Sequence, residues 1–182
     1  MNWHNTPVRY GSLSIGLHWL MLLLFIAVYS CIELRELLDK GSEPRDMLKA
    51  WHFTLGLLVF ILIWLRIAAS FSGQTPVIVP APPAWQKRAA KLMHLTLYAL
   101  MVVMPILGWL MLSAAGKPIP FFGLELPALI GTDKELSKQI KEVHEWIGTA
   151  GYYLIGIHVL AALYHHHIKH DNTLNLMLPH QK

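Results

Sequence analysis

The sequence predicts an all-α fold: a bundle of four helices that cross a membrane. Composition is the first reason. The 182 residues are 54% hydrophobic and only 14% charged, with a mean hydropathy of +0.43, whereas a soluble domain carries about 25% charged residues. Spacing is the second. Four segments reach the roughly 20 mostly apolar residues that a spanning helix needs. The third is a set of histidines inside those segments, where ionisable groups are rare and face the bundle interior.

The first span is read over residues 13–34. The preceding "MNWHNTPVRY" lacks a strongly basic start, and the apolar run is too long for a signal peptide and has no small-residue cleavage site, so the segment is expected to be retained. A short charged connection, "RELLDKGSEPRDMLKA", leads to a second span at 51–71. The Pro-rich "SGQTPVIVPAPPAWQKRAAK" follows and is expected to lie along the surface. The third span, 92–115, contains Pro105, which predicts a kink. In the longest connection "TDKELSKQIKE" reads as a helix entering the fourth span, 143–165, capped by Thr132 with Glu135 three residues on. Trp19, Trp51, Trp64, Trp109 and Trp146 lie within or near span ends, as interface anchors do. The whole chain, 1–182, reads as one membrane-embedded domain with both termini on one side. Lys and Arg divide too evenly between the two sides to orient it, although Asp171 is the only acid on the terminal side.

Some classes are excluded. Cys31 is the only cysteine, so an internal disulfide, a four-cysteine iron–sulfur site and a Cys-x-x-Cys-His haem attachment are out. The net charge of +4 comes without a basic stripe interleaved with aromatics, which argues against nucleic acid.

His18, His52, His144 and His158 carry the functional reading. Counted at about 1.5 Å per residue, His18 and His158 fall at similar depth near the terminal side. His52 and His144 open their spans at the opposite face. His144 and His158 are 14 residues apart, nearly four turns, and so share one helix face about 21 Å apart along the axis. Gly56, Gly148 and Gly151 lie near these histidines and would admit a flat macrocycle or a close helix neighbour. Taken singly, each histidine also reads as hydrogen-bonded to a neighbouring helix or sitting at the headgroups. Taken together, two-histidine sites suit haem iron with both axial positions filled. Zinc wants four ligands, and no carboxylate or thiol at matching depth completes such a set. Filled axial positions imply electron transfer rather than oxygen binding. By depth alone His94 is an alternative ligand.

The stretches "SIGLHWLMLLLFIAVY", "WHFTLGLLVFILIWLRI" and "HEWIGTAGYYLIGIHVLAALYHHHIKHDNTL" resemble the bacterial dihaem cytochrome b561 family over nearly the whole chain. That family includes superoxide:ubiquinone oxidoreductases and is similar to the haem-b subunits of formate dehydrogenases and nickel–iron hydrogenases. The resemblance implies two haem b groups per chain in the bacterial inner membrane, with both termini cytoplasmic. His18 and His158 would hold the cytoplasmic-side iron, and His52 and His144 the periplasmic-side iron; the family pattern gives His94 no axial role. Arg66 reads as a haem-propionate partner or a snorkelling side chain. The acceptor implied is ubiquinone, placed near His165, with Asp171 and Asn172 as further polar contacts. A His165–His167 run at a helix end also reads as capping terminal carbonyls or binding metal. The donor implied is superoxide or another periplasmic one-electron donor. Lys40, Arg45 and Lys49 would line a basic mouth, but Glu36, Asp39, Glu43 and Asp46 are interleaved with them. Two other readings stand beside this one: a cytochrome subunit of a larger dehydrogenase or hydrogenase complex, and a haem-free, histidine-based metal transporter.

Overall fold

The computed structural model describes residues 3–179. Four long helices dominate: α1 (Ser12–Arg35), α2 (Glu43–Ser70), α3 (Ala84–Ala114) and α4 (Lys134–His167). Between α3 and α4 lies a two-stranded antiparallel hairpin, β1 (Ile119–Phe121) and β2 (Leu124–Leu126), and a single 3-10 turn, Asn175–Met177, follows α4. All four helices are long and apolar enough to cross a membrane. Leu23, Leu65, Leu95, Ile157 and Leu160 are exposed along them, as expected of side chains that face lipid tails.

Three helices start well before the predicted spans. Hydropathy marks only the stretch in contact with lipid, while the helical backbone continues through polar turns outside it. In α2 those turns carry Glu43 and Asp46, favourable at the positive end of the helix dipole. Pro44 sits in the first turn, where a missing N–H costs nothing. In α4 the cap is Asp133 rather than Thr132. Its Oδ1 accepts the N–H groups of Glu135 and Leu136, each at 3.0 Å, the two bonds expected of an N-cap side chain. The helix α3 continues through Pro105.

The hairpin is absent from the sequence reading. Phe122 and Gly123 turn it with φ of 48° and 82°, the positive pair that a two-residue turn with right-handed twist demands. Asn-Gly is the usual signal, and a phenylalanine at the first position hides it. The hairpin packs through Ile119 onto Leu57 of α2 and Leu112 of α3, and the Thr54 hydroxyl donates to the Pro120 carbonyl at 3.2 Å.

By density of contacts the chain forms two compact units, one of residues 1–20, 63–99 and 150–182, the other of residues 21–62 and 100–149. Each long helix contributes a segment to both. The first unit is sewn together by two asparagines. Asn5 is buried: its Oδ1 accepts the Gly11 N–H at 2.9 Å and the Ser14 hydroxyl at 2.8 Å, and its amide donates to the Ala69 carbonyl at 3.2 Å. Asn172 accepts the Val79 N–H at 2.8 Å and donates to the Val77 carbonyl at 3.2 Å. The Pro-rich connection is thus pinned by the C-terminal segment, and Val77 is also pinned by the N-terminal one through the Pro7 carbonyl, at 2.9 Å. A side chain at Gly73 would run into the Asn5 carbonyl.

Replacing Asn5 with alanine strands a buried donor at Gly11, at a cost of about 1–3 kcal/mol. The thermal midpoint of the detergent-solubilised Asn5→Ala protein is expected to fall clearly, and further than that of Asn172→Ala, whose bonds are exposed. An unchanged midpoint for Asn5→Ala would show that the N-terminal segment contributes little to stability.

Candidate haem-binding histidine pairs

In the unit that holds both termini, four helices each supply one polar side chain to a common cluster. His18 comes from α1, Arg66 from α2, His94 from α3 and His158 from α4. The ring centres of His18 and His158 are 6.2 Å apart with planes at 65°. His94 approaches His158 on its own account, at 5.6 Å and 69°. The guanidinium of Arg66 donates through Nη2 to His18 Nδ1 at 2.8 Å, and Tyr98 lies 5.9 Å from the same guanidinium. Arg66 Nε and Nη1 are buried with no hydrogen-bond partner. Trp19 packs edge-on against His18 at 5.6 Å and is itself held by the Met177 carbonyl at 2.8 Å.

In the other unit His52 of α2 faces His144 of α4, with ring centres 6.3 Å apart and planes at 73°. His52 Nδ1 lies 3.0 Å from the Val28 carbonyl. A carbonyl only accepts, so Nδ1 carries the hydrogen and the lone pair is on Nε2. This is the usual way in which a ligating imidazole is oriented by its other nitrogen. His144 Nδ1 is buried without a hydrogen bond of good geometry, the Met104 carbonyl being the acceptor beside it. On α4 the backbone carbonyl of Gly148 accepts the Tyr29 hydroxyl at 2.9 Å.

Do these residues fit a haem? Two metal–nitrogen bonds of about 2 Å, plus roughly 1 Å from each nitrogen to its ring centre, separate facing imidazoles by about 6 Å. Both pairs have that separation. A side chain built at Gly16, Gly56 or Gly156 would meet nothing within 4 Å, so there is open space close in sequence to His18, His52 and His158. Gly148 differs: a side chain there would touch Met104 at 3.4 Å, so it serves helix packing. Among the described residues no three His, Cys, Asp or Glu side chains gather as a bare metal site. Two nitrogens per site suit an iron whose other four ligands come with the macrocycle. The two unpartnered donors of Arg66 call for an anion, and a propionate carboxylate would supply one. The residues fit.

Other residues singled out by sequence have more local duties. Arg45 donates to the Arg35 and Leu38 carbonyls at 2.8 and 2.7 Å and to Glu36 at 3.0 Å, so it closes the turn between α1 and α2. Hydrogen bonds from Arg35 and then Arg45 hold the Glu36 carboxyl below its ordinary range. Lys40 is exposed, and Lys49 has Lys117 and Asp46 as charged neighbours. His166 and His167 contact each other at 4.7 Å. His165 pairs with Asp171 at 2.5 Å, and Asn172 is spent on the Pro-rich connection. The Val28 carbonyl and Trp19 are the supporting groups that sequence reasoning missed. Neither carries a motif, since one is backbone and the other looks like any interface tryptophan.

Four apolar helices that hold imidazoles in facing pairs fit a membrane cytochrome of the b type. Residues 9–180 match the family described as prokaryotic cytochrome b561, and the chain belongs to that family. It is 37% identical over 174 residues to "Cytochrome b561 homolog 1" of Escherichia coli K12, covering 96% of this chain and 99% of that protein. It is 36% identical to "Probable superoxide oxidase CybB" of Yersinia pestis, with 96% and 98% covered. "Cytochrome b561 homolog 2" of E. coli K12 is 28% identical over 179 residues, with 98% and 95% covered. Family membership makes this a multi-pass membrane protein that binds b-type haem and serves electron transfer.

The pairing makes the site testable by redox titration. His52→Ala and His144→Ala are expected to abolish the same haem component, and His18→Ala and His158→Ala the other. Arg66→Gln is expected to loosen or shift only the component lost with His18. A shared loss between His18→Ala and His52→Ala would contradict the pairing.

Proposed function

We propose that the chain is a single membrane-embedded domain that carries electrons one at a time from superoxide, on the periplasmic side of the bacterial inner membrane, to ubiquinone near the cytoplasmic side. Both termini lie in the cytoplasm in this reading. The observation that carries it is the pair of imidazole couples, each at the separation an axially ligated iron requires. Two haem b groups bound there supply one-electron transfer with no open coordination position.

The chain's own residues do the rest. His18 and His158 hold one group, and His52 and His144 the other. The Val28 carbonyl holds the His52 hydrogen on Nδ1 and leaves the lone pair on Nε2, the nitrogen that would hold the group. Arg66 would answer a propionate with Nε and Nη1, the donors it has to spare. A histidine that holds iron through Nε2 carries its hydrogen on Nδ1, so the Nη2 contact to His18 Nδ1 would give way when the group binds. The exposed apolar helix faces keep lipid around the site and exclude water. His144 and His158 share one continuous helix, α4.

The overall reaction balances simply. Each of two superoxide anions gives up one electron and leaves as dioxygen, while ubiquinone takes both electrons and two protons. His165 is the proposed proton-exchanging group at the quinone, because an imidazole can take a proton on one nitrogen and give one up. The superoxide assignment draws support from the relative named a probable superoxide oxidase and from the cations Lys49 and Lys117, which stand close to one another in the unit of His52 and His144.

Pyridine haemochrome analysis of the purified protein is expected to return about two haem b per chain. The same preparation, given a superoxide source and a soluble ubiquinone analogue, is expected to form quinol and to stop when superoxide dismutase is added. Absence of haem from protein made in haem-replete cells would remove the whole reading. Two haems without superoxide-dependent quinol would leave the electron path and overturn the donor.

A further inference from the structure

The end of α4 folds back on itself in an unusual way. The N–H of Lys169 reaches the Tyr164 carbonyl, the N–H of Asp171 reaches the His165 carbonyl at 3.1 Å, and His170 between them has φ of 53°. That left-handed residue, tolerated by histidine better than by most, reverses the chain. The reversal brings the Asp171 carboxylate against the His165 ring, with Oδ2 2.5 Å from Nδ1. Asp171 is buried, its side chain only 3% exposed. Its other oxygen, Oδ1, accepts the Thr173 N–H at 2.9 Å. Burial pushes this carboxyl up, but the hydrogen bonds from His165 and Thr173 outweigh that and hold it below its ordinary value. Asp171 is therefore ionised at neutral pH and can only accept, so His165 must donate from Nδ1. The ring's Nε2 has no partner among the described contacts.

We propose that Asp171 is a positioning residue: it locks His165 in the Nδ1–H tautomer and fixes the ring so that Nε2 relays protons to the reduced quinone. The proposal rests on the reading that ubiquinone is reduced near this end of the chain. In the relay a proton passes from water to Nε2 and from Nε2 to a quinone oxygen, while the electrons come singly from superoxide by the path already proposed. Asp171 never touches the quinone. Its oxygens are spent on His165 and Thr173, which replaces the direct contact expected from sequence.

Asp171→Asn is the informative variant. The Thr173 N–H keeps the amide oxygen at the Oδ1 position, so the amide NH₂ must face His165 Nδ1. The ring is then forced to accept at Nδ1 and carry its hydrogen on Nε2, and it cannot take up a second proton without breaking that bond. NMR of ¹⁵N-histidine-labelled, haem-loaded protein, with His165→Ala to assign the signal, is expected to show Nδ1–H in wild type and Nε2–H in Asp171→Asn. Haem content and reduction by superoxide should be unchanged. Reoxidation by a ubiquinone analogue should slow at least about tenfold, against the 10²–10⁴-fold that a proton-transfer group typically contributes. The double variant with His165→Ala should be no slower than His165→Ala alone, since Asp171 acts only through His165.

An Nε2–H tautomer in wild type overturns the proposal. So does a switched tautomer with unchanged reoxidation, or a double variant slower than His165→Ala. A wild-type protein that ubiquinone does not reoxidise counts against the proposed function instead, and the wild-type tautomer still decides whether Asp171 sets the ring.

Discussion

An imidazole inside an apolar helix has two nitrogens to satisfy and no water to satisfy them with. Leaving either unpaired in lipid costs several kcal/mol, so each ring dictates what another helix must bring to it. His52 takes a backbone carbonyl from α1, His18 takes a guanidinium from α2, and the rings approach one another in pairs. Leucines against lipid tails give no such instruction, because lipid is as apolar as leucine. The polar rings set the rotation and height of the four helices, and the apolar surface follows.

Arg66 shows the same rule under a heavier load. A guanidinium has five N–H donors, and one bond to His18 leaves most of them unused. Two of its nitrogens are buried without a partner, which a folded protein tolerates only where another ligand is provided for. In the proposed function a propionate would take up those donors.

Depth was legible in the sequence because a helix rises by a fixed amount per residue and the membrane gives every helix the same two reference planes. That arithmetic brought His18 to His158 and His52 to His144 before any coordinates. Rotation about the helix axis was not legible to the same degree: His94 also lies against His158, and depth alone does not rank the two neighbours. The apolar stretch of each helix was legible from hydropathy, and the polar start of α4 from its capping pattern, but the polar turns at the starts of α2 and α3 were not, since they lie beyond the lipid that hydropathy reports. Asp133 displaced Thr132 as the cap of α4, a choice of one residue that side-chain geometry makes and composition does not. The Phe122–Gly123 turn and the reversal at His170 each place a residue other than glycine at positive φ, which sequence seldom announces. Asp171 could be placed near His165 in the chain, yet its burial against the ring could not be foreseen without that reversal.

The Trp19 indole, which leans on His18, is held by the carbonyl of Met177, and Asn172 binds the Pro-rich connection. The segment after α4 thus reaches the His18 ring through a single indole, so anything that loosens that segment is felt at His18, and anything that displaces His18 is felt in the segment.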